Sequence, residues 1–375
     1  MKNNCIKIGI IGCGWITEHA HIPSFSMLED VSVSSLFDID IQRATRLAKL
    51  YNINGVYDDL DKFFNSGIDA VIIATPNNMH MQYSLQALEH GLNVLCEKPV
   101  AFYSHEVKQL MNSAKGKNRL FIPGFVNRFR YDIMKIHELI QSKKIGGIVS
   151  IEAGWLRRSG IPRPGTWFTS KSHSGGGVLI DLGSHVIDIC LMMLGDQVPL
   201  SVTLITSRQD KREQKLNAQW FNEDYIGEFK VDVEDTAVAR VEFNNNVLLD
   251  LKLSWAADIE GDCTYFIIHG SKGSIKLKTL FGFSNDRLWK DDSLVLEESK
   301  SNALDISLDK NTNNAKKAFH SMSNFFVDAL NGRNTGHLTD KDALKTVSLI
   351  EKLYNSEKKI DNEAGCIKME GLNFG

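Results

Sequence analysis

Ile6-Lys7-Ile8-Gly9-Ile10-Ile11-Gly12-Cys13-Gly14-Trp15-Ile16-Thr17 is the stretch whose reading decides the fold. Its first half is an apolar run of strand length. Its second half turns on glycine into a segment that reads as helix. Gly12 and Gly14 permit a tight turn and let backbone N–H groups approach a pyrophosphate at the positive end of that helix. Thr17 stands where the full fingerprint has a third glycine, so the match is partial. Val31 to Phe37 reads as the next strand and ends in Asp38. A dinucleotide fold places an acid near there, on the ribose hydroxyls. With that acid in place the glycine turn is expected to hold a dinucleotide.

The pattern then alternates. Asp40 to Tyr51 reads as helix, with Ala44, Leu47, Ala48 and Tyr51 on one face. A short strand at Val56-Tyr57 and a helix over Leu60 to Phe64 follow. Ala70-Val71-Ile72-Ile73-Ala74 is an unbroken apolar run, as a strand buried on both faces requires. It passes through Thr75-Pro76-Asn77 into a helix that ends near His90. Asn93 to Cys96 is a strand closed by Glu97-Lys98-Pro99, and Ser104 to Lys117 and Leu120 to Phe125 add a helix and a strand. Residues 1–126 therefore read as a doubly wound parallel sheet of Rossmann type. Ligands of such sheets sit beyond the carboxyl ends of the strands, where Gly12, Gly14, Asp38, Thr75, Asn77, Glu97 and Lys98 fall. Lys98 is either solvated surface or a cation placed to stabilise an alkoxide as it forms.

A second stretch, Gly175-Gly176-Gly177-Val178-Leu179-Ile180-Asp181-Leu182-Gly183-Ser184-His185-Val186-Ile187-Asp188, begins with glycines that cannot be helix interior. From Val178 the apolar pattern predicts a helix to Leu194, stopped by Gly195. Asp181 and His185 stand at i and i+4 on one face, and Asp188 continues it. A carboxylate beside an imidazole fixes its tautomer and raises its proton affinity, which suits proton transfer near neutral pH. The alternative is an ordinary surface pair.

Residues 127–375 read as an α+β domain with a large, mostly antiparallel sheet. The expected strands are Ile148 to Trp155, Val198 to Thr206, Thr236 to Phe243, Val247 to Trp255, Thr264 to Ile268 and Ser274 to Leu277, with Asn244-Asn245-Asn246 as a hairpin loop. Arg128 to Lys143, Lys316 to Leu330 and Lys341 to Tyr354 read as helices. Gln209 to Lys230 and Leu280 to Asn314 read as loops or edge excursions, and the last residues as a loosely held tail. The loop Arg157 to Phe168 leads into the triple glycine. In it Trp167 either stacks on a bound ligand or fills core, and Arg157, Arg158 and Arg163 either bind an anionic group or are solvated.

The chain has 375 residues, 24% of them charged and 43% hydrophobic, with a net charge of -3. That balance argues against nucleic acid or an anionic membrane as partner. No apolar run reads as a membrane span. Six scattered cysteines without a Cys-x-x-Cys pair point to reduced thiols in a cytoplasm. His19-x-His21 has no carboxylate or cysteine at ligand spacing, so no metal is expected.

Gly12-x-Gly14, Ala74-Thr75-Pro76 with His80, Glu97-Lys98-Pro99, and the triple glycine with Asp181-x-x-x-His185 occur in this order. Together they resemble the glucose–fructose oxidoreductase, inositol dehydrogenase and rhizopine-catabolism family (Gfo/Idh/MocA). Asn127-Arg128-Phe129, Glu234-Asp235-Thr236-Ala237 and Gly270-Ser271-Lys272-Gly273 extend the resemblance over nearly the whole chain. It implies a hydride transfer between nicotinamide and a secondary alcohol or ketone of a sugar, aminosugar or inositol, with NAD as cofactor and NADP possible. It carries the catalytic roles onto Lys98, Asp181 and His185. The cofactor is expected on Gly12, Gly14, Trp15, Ile16, Asp38, Arg43, Thr75, Pro76, Asn77, His80, Glu97, Lys98 and Asn127. Substrate is expected on Lys98, Arg158, Trp167, Asp181 and His185. A homodimer or homotetramer is implied. Two other readings stay open: an NAD-dependent glycosidase on a similar scaffold, and a non-catalytic sugar or nucleotide sensor.

Overall fold

The computed structural model describes residues 5–158, 162–208, 229–298, 303–309, 311–333 and 336–359. The chain divides into two units, Met1–Phe129 with Lys316–Val347, and Arg130–Ala315 with Ser348–Gly375.

The first unit is built on six parallel strands: β1 (Ile6–Ile11), β2 (Val31–Phe37), β3 (Gly55–Tyr57), β4 (Ala70–Ile73), β5 (Asn93–Glu97) and β6 (Phe121–Gly124). Their order is β3-β2-β1-β4-β5-β6. The order reverses between β1 and β4, and that switch point opens a crevice at the carboxyl ends of the strands. Local chemistry fixes the helices between them. Asp40 caps Ile41–Tyr51 by accepting from Gln42 N at 3.0 Å, and Asp59 caps Leu60–Phe64 by accepting from Lys62 N at 2.9 Å. Asn52 and Asn118 end two helices in the left-handed region, at φ 55° and 52°.

The sequence predicts a first domain over 1–126; the compact first unit runs to Phe129 and takes in Lys316–Val347. The helix Ala315–Leu330 buries Phe319, Met322 and Phe326 on one stripe. Phe319 meets His21 edge-on at 5.4 Å and Phe326 meets Phe25 edge-on at 6.4 Å. Arg128 pairs with Asp342 at 3.1 Å. The period of the helix was legible; the partner of its stripe, three hundred residues away in sequence, was not.

The second unit holds a nine-stranded sheet: β7 (Ile148–Leu156), β8 (Pro199–Ser207), β9 (Thr236–Phe243), β10 (Leu248–Ser254), β11 (Cys263–Gly270), β12 (Gly273–Thr279), β13 (Ser293–Glu298), β14 (Leu304–Ile306) and β15 (Glu357–Lys359). The order is β14-β13-β12-β11-β7-β10-β9-β8-β15. Only β7–β10 and β8–β15 are parallel among the described pairs. Asn244–Asn246 turns β9 into β10, with Asn245 and Asn246 at φ 66° and 60°. The helices Tyr131–Gln141 and Ser184–Leu194 pack Ile133, Ile136, Ile187 and Leu191 into one core with Leu251, Leu253 and Phe266 of the sheet. Charged residues such as Arg240 and Asp250, paired at 2.7 Å, occupy the other face.

The weakly patterned 280–314 stretch contains β13 and β14, at the sheet edge. Residues 209–228 of the polar Gln209 to Lys230 stretch, and the expected tail from 360, lie outside the described residues. Lys171–Leu194 is long and apolar enough to cross a membrane by length and composition, but 89% of its most apolar window is buried inside the protein.

Candidate active site

The first unit supplies a nucleotide-binding edge. Gly12 has φ +97°, and a Cβ there would collide with the Ala74 carbonyl, so only glycine lets the turn lie against the end of β4. At Gly14, by contrast, a Cβ would meet no atom within 4 Å, which leaves space for a phosphate at the helix start. Thr17, the departure from the fingerprint, is fully buried and donates from Oγ1 to Gly12 O at 2.6 Å. It holds the turn shut from inside the helix, which a glycine could not do. Asp38 Oδ2 accepts from Cys13 N at 2.7 Å and Oδ1 accepts from Asp40 N at 2.9 Å. A carboxylate has about four acceptor sites, so two backbone bonds leave capacity for ribose hydroxyls. These residues fit a dinucleotide. Burial, with the Asp38 charge beside it, pushes the Cys13 thiol well up, so it is an inert small residue of the turn. Trp15 and Ile16 are half-buried at the helix start, and Arg43 pairs with Asp40 at 3.4 Å.

The β5 end is tied down by histidines. His80, 1% exposed, sets Nδ1 2.7 Å from Pro99 O and Nε2 2.8 Å from Thr75 O. Burial pushes its pKa down, against the pull of the two carbonyls and Glu97. His80, expected on the cofactor, lies between the Thr75 loop and the loop after Lys98 and links them through its ring. Glu97 accepts from His21 Nε2 at 2.9 Å and from Lys98 N at 3.2 Å. His21 is fully buried, while His19 Nδ1 faces Trp15 O at 3.0 Å, so the two histidines serve different partners. Lys98 is half-buried before a cis Pro99, and Asn77 and Asn127 are buried at the start of the helix after β4 and in the turn after β6.

The second unit carries the Asp181–His185 helix face. Gly175, at φ +84°, ends the short helix Lys171–Ser174. A Cβ on Gly176 would strike the Tyr354 hydroxyl and one on Gly177 the Glu234 carbonyl, which accounts for the run of glycines. The regular α-helix expected from Val178 begins instead with a π-turn, Leu179–Gly183, before Ser184–Leu194. Such turns are frequent at functional sites. A Cβ on Gly183 would stand 2.8 Å from the Leu253 side chain, so the wide turn lies close against the sheet. Asp181, half-buried, accepts from Trp255 Nε1 at 3.1 Å through Oδ2. The His185 ring lies 5.9 Å from Trp155, and its Nδ1 is shut off from solvent.

Arg157 is buried with its guanidinium 5.2 Å from the Trp155 ring. Arg158, the arginine expected on substrate, makes contacts with two neighbouring loops. Its Nε pairs with Asp286 at 3.3 Å and its NH1 donates to Glu260 O at 3.0 Å. Adjacent residues at a strand end point to opposite sides, and Arg157 has the side facing Trp155. Trp167 is half-buried and lies against Phe168 at 3.7 Å. Sequence reading missed Trp155, Trp255 and Glu234. The glutamate stood in a quoted motif, but its partner Gly177 is 57 residues away.

Two family descriptions match. "Oxidoreductase family, NAD-binding Rossmann fold" covers residues 6–125 and "GFO/IDH/MocA C-terminal domain" covers residues 133–276. The chain is 29% identical to the D-glucoside 3-dehydrogenase of Escherichia coli (strain K12), over 69% of this chain and 73% of that one. Its fold is similar to that of KijD10, a 3-ketoreductase from Actinomadura kijaniata solved with NADP and TDP-benzene. There the TM-score is 0.76 at 20% identity, over 96% and 99% of the two chains. It is also similar to that of GenD2 from gentamicin A biosynthesis in complex with NAD, with a TM-score of 0.73 at 23% identity, over 94% and 93%.

Proposed function

The chain belongs to the Gfo/Idh/MocA family of NAD(P)-dependent oxidoreductases, and from that premise we propose that it oxidises a secondary alcohol, or reduces the matching ketone, of a sugar, aminosugar or inositol. The observation that carries this reading is the Asp181–His185 helix face, with the Asp181 carboxylate fixed by the Trp255 indole. When bound, the nicotinamide takes up the carbon's hydride in oxidation and returns it in reduction. In the oxidative direction His185 accepts the hydroxyl proton. Its Nδ1 is closed to solvent, which makes Nε2 the accepting atom. The Lys98 ammonium steadies the alkoxide as it develops. Asp181 orients His185 or the substrate. The names dehydrogenase and 3-ketoreductase among the relatives favour net hydride transfer over the glycosidase and sensor readings, and make carbon 3 of a hexose derivative the first position to test.

The test is a panel of sugars, glycosides, aminosugars and inositols followed by absorbance of the reduced cofactor. At least one should yield net NADH or NADPH. A panel that yields only hydrolysis, or no reaction, sinks the proposal. We expect NAD to be preferred, because Asp38 at the ribose edge repels a 2′-phosphate, with Arg43 moderating the preference. Fluorescence titration with NADH and NADPH checks it, and tighter binding of NADPH overturns the role given to Asp38.

The resemblance to the family supports a homodimer or homotetramer. Light scattering at micromolar concentration should report more than one chain per particle, and a monomer would rule this out. Cys5, Cys13, Cys96, Cys190 and Cys263 are free thiols, which supports a cytoplasmic setting.

A further inference from the structure

We propose that Glu234 is a positioning residue for this reaction: its buried carboxylate seats the first turn of the helix that carries Asp181 and His185. The role rests on the hydride-transfer reading above, but the seating itself does not.

A helix start leaves backbone N–H groups without intrahelical acceptors and carries partial positive charge. Here one side chain answers both. Gly177 N lies 3.0 Å from each Glu234 oxygen, and Leu179 N donates to Oε1 at 3.1 Å. The Glu234 backbone joins in, its carbonyl accepting from Val178 N at 3.1 Å. Tyr354 completes the set by donating its hydroxyl to Oε1 at 2.8 Å. Glu234 is 9% exposed, and burial pushes its carboxyl up while the tyrosine and backbone donors pull it down. The glycines at 176 and 177 are what let the tyrosine and glutamate come so close.

The same segment reaches Asp181 by a second route. Trp255 N donates to Asp235 O at 2.8 Å, and the Trp255 indole donates to Asp181. Thr236 and Ser254 are joined through their hydroxyls at 3.0 Å. Glu234-Asp235-Thr236 thus governs the entry of the helix and, through Trp255, the rotamer of its carboxylate. A reacting group displaced by about 1 Å costs on the order of 10²-fold in rate. Two independent holds on one helical turn are suited to prevent that.

The test is Glu234→Gln in the full chain, with the substrate found by the panel. Glutamine keeps one acceptor oxygen and turns an NH2 group toward backbone N–H groups. Turnover should fall by about 10- to 100-fold, with KM, cofactor affinity and melting temperature little changed. Amide exchange in a peptide spanning 177–185 should quicken, while peptides of the first unit should not change. Tyr354→Phe, which keeps the ring and removes one donor, should show the same pattern at smaller size, and it carries the test if Glu234→Gln does not fold. Unchanged turnover with unchanged exchange overturns the proposal. So does a parallel loss of turnover, affinity and melting temperature, the mark of general unfolding. If the wild-type chain turns over no sugar or inositol, the hydride-transfer reading fails, while the exchange experiment still decides the seating.

Discussion

His185→Ala should lose turnover by roughly 10²–10⁴-fold, the contribution of a positioned acid or base, and keep its affinity for NAD. The two effects separate because the glycine turn and Asp38 belong to the first unit and His185 to the second. Lys98→Ala should also lose turnover. The double variant should fall short of the product of the two losses, since groups that act as a unit are non-additive. Steady-state kinetics on the identified substrate, with NADH titration of each variant, measures all of this. Near-wild-type turnover of His185→Ala would make the Asp181–His185 face structural.

Asp132→Ala should destabilise the second unit by about 3–5 kcal/mol, because it leaves a buried guanidinium uncompensated. Arg130 is 1% exposed and Asp132 is fully buried. Arg130 Nε and NH2 reach the two Asp132 oxygens at 3.1 and 2.7 Å, and Thr279 and Asn313 donate to the same carboxylate at 3.0 and 2.9 Å. Burial alone would push the Asp132 carboxyl up, but Arg130, Asn313 and Thr279 outweigh it and hold the carboxyl below its ordinary value. A carboxyl whose folded pKa is depressed stabilises fully above its unfolded value, about 3.9. That stability is lost as pH falls through the lower folded value. Urea denaturation at neutral pH should show the loss, and the gap between variant and wild type should close in strong acid. Replacing the pair together by Arg130→Met and Asp132→Leu should cost less than Asp132→Ala alone. A single-variant loss under about 1 kcal/mol would mean that water reaches Arg130 and relieves it.

Much of this was legible in the sequence, for physical reasons. Strands buried on both faces announce themselves as unbroken apolar runs, so the Ala70 to Ala74 run contains β4, Ala70–Ile73. Local caps such as Asp40 fix helix starts within a residue. Asp38 and the triple glycine stand out because their chemistry is written into residue type. What stayed hidden was long-range or geometric. The π-turn at Leu179–Gly183 changes no residue, only the winding. The Trp255 hold on Asp181 spans 74 residues. Arg157 and Arg158 are identical in type and adjacent, and only the strand's alternation separates the one facing Trp155 from the one facing Asp286.

The return of Lys316–Val347 to the first unit bears on how the polypeptide is made. Phe25 leaves the ribosome early, but the ring it packs against, Phe326, is translated only after all of Arg130–Ala315. At about 5–20 residues per second that interval is on the order of 10–40 s. Throughout it the nascent nucleotide-binding unit lacks its closing helix, and the apolar surface around Phe25 stays open to chaperones. The second unit, inserted in the middle of the message, can complete most of its sheet first. Each unit is therefore closed by chain made late: the first by the helix that carries Phe326, the second by Tyr354 and β15.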